Sequence, residues 1–313
     1  MYRLSTLTLY LAILLFSCTR MGKACTHMGK VSLHGKNVDI PESPSEDLSN
    51  PAIPYVLTKP DRAWTMPEEL KEISGIVKMP GDTLLAIEDL HPTLYFINVS
   101  QEKAAIAKKL SFAEVAKDKF DIEDVTMDSS HTIYALWSHG VIFKITNWKD
   151  KMQVEVDETT LDKKNNTEGL AYNPFSGELL IACKNESGLE GENKSTRAVY
   201  AYDVASRKIK DAPFLVIEKK ELDKFASRKV DFYPSAIGVH PLTHDIFIIS
   251  TKGSKSIACF SQAGVLKGFE ILDPELLPQP EGICFDYKGN IFISTEGKHG
   301  EAGQVYEYAW KKK

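Results

Sequence analysis

Residues 168–183 read EGLAYNPFSGELLIAC, and residues 281–295 read EGICFDYKGNIFIST. In both stretches a run of β-forming residues meets a turn cluster of Asn or Asp with Gly and then resumes as a second apolar run, which is typical of a β-hairpin. Related starts occur at residues 74–76 (SGI), 123–125 (EDV) and 235–237 (SAI). The chain therefore contains five copies of one repeat, with starts separated by 45 to 67 residues.

Each repeat continues into further strand-like runs rich in β-branched and aromatic residues. The fifth repeat lacks a fourth run, and the apolar residues 53–58 can supply it by pairing beside residues 305–308. This pattern predicts an all-β fold, a five-bladed β-propeller closed by N- and C-terminal strands. A six-bladed ring is the alternative, but two polar inserts, residues 185–197 and 219–231, account for the longest interval and favour five blades.

The N-terminus has the features of a lipoprotein signal peptide over the first 17 residues. Its apolar run, residues 7–16, is shorter than the ~20 residues that span a bilayer as a helix. Residues 15–18 (LFSC) resemble the lipobox of bacterial lipoproteins, which implies that Cys18 is acylated and anchors the chain in a lipid bilayer. An ordinary signal peptide with a chance cysteine is the alternative. We expect residues 18–52 to form a linker, residues 53–313 the propeller, and the protein to lie in the bacterial cell envelope, facing the periplasm or the outer membrane.

The overall charge argues against one class of partner. The formal net charge is -5, the pI is about 6.0, and lysines alternate with acids along the chain. Such a chain has no strongly positive surface potential that would attract nucleic acid. The sequence also contains no GxSxG, HExxH, P-loop or dinucleotide-binding motif.

The remaining cysteines and the histidines are expected to be structural. Cys25, Cys183, Cys259 and Cys284 match no metal-binding spacing, and the last three lie in apolar runs where a thiol fills a core. The histidines at four turns, His91, His131, His240 and His244, are expected to be exposed loop residues.

Polar residues are expected to meet at one mouth of the central channel. Strands one and two of a blade are antiparallel, so the start of the first and the end of the second lie at the same end of the blade. The strand starts place these residues at the mouth: Ser74, Glu123, Glu168, Ser235 and Glu281. The second-strand ends add these: Glu88, Asp89, Lys184, Glu186, Lys252, Glu296 and Lys298.

Three glutamates at equivalent positions, Glu123, Glu168 and Glu281, would repel one another unless a positive group lies among them. Calcium is one solution, because it accepts six to eight oxygen ligands in a flexible geometry. Pairing of these acids with Lys184, Lys252 and Lys298 is the other. Raised glutamate pKa values are a third outcome. The insert at residues 185–193 and a short helix within residues 219–231, with Leu222 and Phe225 packing inward, could cover this mouth.

The repeat starts resemble those of the SdiA-regulated family of bacterial β-propellers. The matching runs are EISGI (72–76), IEDV (122–125), NTEGLAYNP (166–174), YPSAIGVHP (233–241) and QPEGICFD (279–286). The resemblance covers about residues 53–310 and implies an exported or membrane-attached propeller without an assigned reaction.

Two functions follow from these patterns. The first is a binding or scaffold protein for a small molecule, a peptide or another envelope protein, with a calcium ion at the mouth as an added element. The second is a metal-dependent hydrolase of phosphate esters or lactones, similar to phytase-like propellers, in which Glu123, Glu168 and Glu281 hold the cation.

Overall fold

The strands form five antiparallel sheets arranged as a five-bladed β-propeller, which confirms the predicted fold. The structure is a computed structural model that describes residues 53–114, 120–191 and 194–311. The predictions for the signal peptide, Cys18, Cys25 and the linker lie outside the described residues. Within the described residues, no helix is both long and apolar enough to cross a membrane.

The blades follow one another along the chain. Strand β1 (Arg62–Thr65) and a 3₁₀ helix (Glu68–Leu70) precede the first blade. Blade I consists of β2 (Ile73–Met79), β3 (Thr83–Glu88), β4 (His91–Asn98) and β5 (Ala105–Ser111). Blade II consists of β6 (Ile122–Met127), β7 (Ile133–Trp137), β8 (Val141–Thr146) and β9 (Gln153–Glu158).

The third blade has an interrupted outer edge. Blade III consists of β10 (Thr167–Asn173), β11 (Glu178–Cys183), β12 (Thr196–Asp203), β13 (Lys208–Ile209) and β14 (Leu215–Glu218). Strands β13 and β14 both pair with β12. Helix α1 (Lys219–Ala226) follows, with Leu222 buried and Phe225 packed against the core, as predicted.

The last two blades complete the ring. Blade IV consists of β15 (Pro234–Val239), β16 (Ile246–Ser250), β17 (Ser256–Phe260) and β18 (Leu266–Ile271). Blade V consists of β19 (Gln279–Phe285), β20 (Ile291–Glu296), β21 (Gln304–Tyr308) and, at its edge, β1. A second 3₁₀ helix (Lys298–Gly300) lies between β20 and β21.

The core lies between the blades, so the middle strands are apolar on both faces. In β16, Ile246 and Ile248 pack into the cluster shared with blade III. The alternate residues Phe247 and Ile249 pack into the cluster shared with blade V. Side chains of a strand alternate between its two faces, and each face here meets another sheet. Burial of each such side chain contributes about 1.5–3 kcal/mol.

The termini close the ring through a different N-terminal strand from the predicted one. Strand β1 pairs with β21, placing Trp64 opposite Val305, so the assignment of residues 53–58 to this position is wrong. The burial of β1 suits an edge strand, because only Trp64 of its four residues is buried. The indole of Trp64 donates a 2.8 Å hydrogen bond to the carbonyl of Val99 and stacks on Phe292.

Residues 53–58 instead pack between blades IV and V. Ile53, Tyr55 and Leu57 are buried in the same cluster as Phe247. The hydroxyl of Tyr55 donates a 2.7 Å hydrogen bond to the carbonyl of Gly289. The apolar alternation at residues 53–57 thus reflects burial against the core without strand pairing.

The cysteines and histidines follow the predictions with one exception. Cys183 and Cys259 are buried free thiols and Cys284 is half-buried, as expected for core residues. Burial raises the pKa of the Cys183 thiol to about 12. The prediction that His240 is exposed is wrong: it is fully buried, and its Nδ1 accepts hydrogen bonds from the backbone of the following turn. A histidine that caps its own turn can face the core, and sequence position alone does not reveal this.

Candidate functional site

A β-bulge marks the start of every inner strand. The pairing register of the inner strand shifts between residues 73 and 76, 122 and 124, 167 and 169, 234 and 236, and 280 and 282. The residues skipped by the ladders include all five predicted positions: Ser74, Glu123, Glu168, Ser235 and Glu281. A bulge frees a residue from the ladder and re-aims its side chain. The repeated sequence start therefore corresponds to a repeated backbone irregularity.

The residue after the bulged position is small in four blades because the inner strands approach closely. A Cβ on Gly75 would lie 2.5 Å from the backbone nitrogen of Val125, and one on Gly282 would lie 2.4 Å from the carbonyl oxygen of Ser74. Blade II has Asp124 instead, whose buried carboxylate accepts hydrogen bonds from the backbone N–H groups of Val125 and Leu170. The carboxylate of Asp124 thus links blades II and III at the channel wall.

The two serines at bulged positions join neighbouring blades. The hydroxyl of Ser235 donates a 2.8 Å hydrogen bond to the carbonyl of Pro280 in blade V. The hydroxyl of Ser74 donates to the carbonyl of Glu123 in blade II. Both serines are buried. Their side chains therefore link the inner strands of neighbouring blades at the mouth. The ionisable groups at the bulged positions are the three glutamates.

Lys184 lies among the three glutamates. Its ammonium group pairs with Oε2 of Glu168, while the side-chain amide of Asn166 donates to Oε1. Burial lowers the pKa of Lys184, but attraction to Glu168, Glu281 and Glu123 outweighs burial and raises that pKa. The structure thus brings the predicted glutamates together around one cation.

The glutamates hold protons more tightly than usual. Burial is the main cause, and it raises the pKa of Glu168 to about 7 despite the neighbouring ammonium of Lys184. Burial also raises the pKa of Glu281 to about 8, with Glu168 adding to the effect. The pKa of Glu123 is raised by burial and then by Glu168. Because several acids share one lysine, their charges are only partly compensated at neutral pH.

Further acids extend the site. Burial, followed by repulsion from Glu296 and Asp121, raises the pKa of Asp89 to about 8. Burial and Glu72 raise the pKa of Glu296 to about 7. Sequence reasoning missed Asp121, which lies two residues before Glu123 and whose charge adds to the raised pKa values of Glu123, Glu168 and Asp89. Together these residues make the mouth an acidic surface.

The other predicted residues lie in different surroundings. Glu88 is buried and accepts from Nδ1 of His91 at 2.7 Å. Lys298 pairs with Glu275 at 2.7 Å, outside the glutamate group. Lys252 lies 5.2 Å from the ring centre of Tyr233 and, with Glu186, lines a separate pocket. Of the three lysines expected at the mouth, Lys184 alone pairs with a predicted glutamate among the described residues.

The described acidic side chains at the mouth do not form a metal site in this arrangement. Over residues 53–114, 120–191 and 194–311, no three His, Cys, Asp or Glu side chains are arranged to hold one. Both oxygens of Glu168 already accept hydrogen bonds from Lys184 and Asn166. In this arrangement the lysine supplies the positive charge, and the calcium ion stays a prediction.

Comparison with known proteins supports the fold. No protein-family model matches the chain, and no curated protein matches it either. Among solved structures, glutaminyl cyclase from Myxococcus xanthus aligns with a TM-score of 0.53 and 12% identity over 80% of this chain and 95% of its own. Virginiamycin B lyase from Staphylococcus aureus aligns with a TM-score of 0.45 and 14% identity over 75% and 67%. A nidogen/laminin complex gives a TM-score of 0.46 and 11% identity over 71% and 72%.

The likeness to glutaminyl cyclase agrees with the β-propeller fold. At such low identity these likenesses carry no residue from one protein to the other, and the similar structures include enzymes and non-enzymes.

Proposed function

We propose that this protein is a ligand-binding protein of the bacterial cell envelope whose channel mouth holds a positively charged group of its ligand. One observation carries the proposal: Glu123, Glu168, Glu281, Asp89 and Glu296 all have raised pKa values, and Lys184 is the cation that pairs among them. An entering cation would replace protons on these acids. The electrostatic attraction between the cation and these acids is larger at a buried mouth than in water, since charges interact more strongly at low dielectric.

The surroundings of Lys184 indicate which cation suits the mouth. Its ammonium group already pairs with Glu168 and is attracted by Glu281 and Glu123. Asp89 and Glu296 repel each other, and among the described residues neither forms an ion pair, although Gln279 donates a hydrogen bond to Glu296 and Lys184 attracts it at longer range. A second ammonium group, from an amine or a peptide terminus, would find there the same kind of acceptors. We therefore favour an organic cation, and calcium is the alternative that the experiment below distinguishes.

The proposal also includes the location of the protein and the family to which it belongs. The signal-like N-terminus and the LFSC run favour attachment to the bilayer through Cys18. The repeat starts favour membership of the SdiA-regulated family. Acylation of Cys18 is tested by mass spectrometry of the mature N-terminus and by replacement with serine, which should release the protein from membranes.

A metal-dependent hydrolase is the second candidate. It is favoured by the pKa of Glu168, which at about 7 suits a group that both gives and accepts a proton at neutral pH. Assays of phosphate-ester and lactone hydrolysis with added calcium test this candidate. Turnover that disappears in Glu168→Gln would support the hydrolase over the binding protein.

Calorimetric titration tests the binding proposal. The purified full chain is titrated with butane-1,4-diamine and, separately, with calcium chloride, at about pH 6.5 and about pH 8.5. We expect tighter binding at the higher pH, because the acids have lost their protons. In Glu281→Gln, binding should weaken about tenfold, as expected for loss of one charged contact.

The control variant is Glu158→Gln, which changes an exposed glutamate on the outer strand of blade II. It should bind like the unaltered protein. Binding of the diamine alone supports an organic cation, and binding of calcium alone supports the ion. If neither binds, or if Glu281→Gln binds both normally, the proposal is wrong.

A further inference from the structure

A second pocket lies at the boundary of blades III and IV. Its volume is about 950 Å³. Its lining includes five basic residues and one aromatic residue: Lys163, Lys164, Lys194, Arg197, Lys252 and Tyr233. Two acids, Glu186 and Glu190, also line it, which leaves a positive excess. This pocket, called the basic pocket below, is opposite in charge to the channel mouth.

Arg197 is the buried cation of the basic pocket. Its residue is only 3% exposed, and its guanidinium carbon lies 4.5 Å from the ring centre of Tyr233. Nη1 donates to the carbonyls of Lys194 at 3.0 Å and Thr196 at 2.8 Å. Among the described residues, Nε has no hydrogen-bond partner and no carboxylate lies within ion-pair distance of the guanidinium. A buried charge without a counter-charge is costly, so Arg197 favours an incoming anion.

One acid attracts Arg197, but its carboxylate already pairs with a lysine. Asp231 attracts Arg197 at longer range, but its carboxylate pairs with Lys219 at 2.6 Å. Tyr233 lies beside two cations, because the ammonium group of Lys252 is 5.2 Å from the same ring centre. Its electron-rich face helps to hold both positive groups near the pocket in the absence of an anion.

The wall of the basic pocket is fixed by hydrogen bonds. Beyond the β10–β11 hairpin, the backbone N–H of Glu186 donates to the carbonyl of Lys164 at 3.1 Å. The side-chain amide of Asn165 donates to the carbonyl of Glu186 at 3.0 Å. The hydroxyl of Tyr200 donates to the carbonyl of the buried Ser187 at 2.8 Å. The loop that carries the polar wall is thus held in place before any ligand arrives.

We propose that the basic pocket binds the phosphate monoester group of a small organic molecule. A phosphate monoester carries close to two negative charges at neutral pH, and it matches a buried guanidinium surrounded by flexible lysines. The ligand can be a soluble phosphate ester or the headgroup of a phosphorylated lipid, since both present the same group. This inference does not depend on the cation bound at the channel mouth.

Calorimetry with three soluble ligands tests the proposal on the full chain purified in detergent. The ligands are glycerol 3-phosphate, short-chain phosphatidic acid and short-chain phosphatidylglycerol, which is a phosphodiester. The test variant is Lys164→Met/Lys252→Met, because both lysines are exposed and their loss should not unfold the protein. The control variant is Lys108→Met/Lys151→Met, which removes two exposed lysines from blade I and the blade II turn.

We expect the unaltered protein and the control to bind a monoester equally, and the test variant to bind it at least about tenfold more weakly. Arg197→Lys should also weaken binding while keeping the charge, because it loses the guanidinium fork. Binding of glycerol 3-phosphate supports a soluble ligand, whereas binding of phosphatidic acid alone supports a lipid headgroup.

Three results would overturn the proposal. They are the absence of binding by both monoesters, equal binding by the test variant and the unaltered protein, and binding of phosphatidylglycerol as tight as that of phosphatidic acid. None of them affects the diamine and calcium titrations. Failure at the basic pocket is therefore distinguishable from failure of the proposed function.

Discussion

The ammonium group of Lys184, the first residue after strand β11, pairs with the carboxylate of Glu168 at the bulge of the neighbouring strand β10. The side chain of Lys184 is 18% exposed and that of Glu168 is 5% exposed, so the pair is largely shielded from water. Both belong to blade III, yet the charge of Lys184 also acts on Glu123 of blade II and Glu281 of blade V. One ion pair thus moderates the repulsion among three blades.

Replacing Lys184 with Met should destabilise the propeller, and more strongly at high pH. Removing one partner of a buried pair costs about 3 kcal/mol. At low pH the glutamates are protonated and need no partner, so the loss should be small. Urea unfolding at about pH 6 and about pH 9 measures this difference. Lys298→Met, which breaks the pair with exposed Glu275, should change stability by less than about 1 kcal/mol at either pH.

Glu281→Gln should stabilise the protein at alkaline pH. The folded-state pKa of Glu281 is raised to about 8 from an ordinary value of 4.5, so the folded state binds more protons than the unfolded state between these values. Stability therefore falls as the pH rises through this window. A neutral amide removes the effect, with an expected gain of about 4–5 kcal/mol at about pH 9 and little change at about pH 4. Glu158→Gln should leave the pH profile unaltered, and an unaltered profile in Glu281→Gln would contradict the raised pKa.

Tyr55 should stabilise the closure between blades IV and V. Tyr55→Phe removes the hydrogen bond to Gly289 and should cost about 1 kcal/mol. Tyr55→Ala also empties the space beside Phe247, whose ring centre is 5.9 Å away, and should cost about 3–5 kcal/mol. Thermal and urea unfolding measure both. Tyr287→Phe is the control, because Tyr287 is 79% exposed and should have no effect.

Gly75→Ala should weaken the contact between blades I and II. The added Cβ would lie 2.2 Å from a carboxylate oxygen of Asp124 and 2.5 Å from the backbone nitrogen of Val125. Backbone cannot move aside as a flexible side chain can, so the inner strands must separate. We expect a loss of about 1–3 kcal/mol by urea unfolding. Wild-type stability in this variant would show that the inner strands do not meet as closely as described.

The repeat could be recognised from the sequence because strand, turn and strand leave a local pattern. Blade IV shows this well: its central strand IFIIS is apolar at nearly every position, since both faces meet a neighbouring sheet. The gathering of Glu123, Glu168 and Glu281 also followed from the repeat, because equivalent positions in a ring share one axis. Five blades and the acidic mouth could therefore be predicted from the sequence alone.

Tertiary structure decided what depends on distant partners. The edge strand of blade V is β1, where Trp64 alone is buried, whereas Ile53, Tyr55 and Leu57 are buried without strand pairing. Lys184 pairs with Glu168 and partly compensates the other acids at the mouth. Lys252 instead contacts Tyr233, and Lys298 pairs with Glu275. Arg197 and its basic pocket have no motif, because Lys163, Arg197 and Lys252 come from separate segments. Local propensity sets the strands, but burial and charge compensation depend on which surfaces the closed ring brings together.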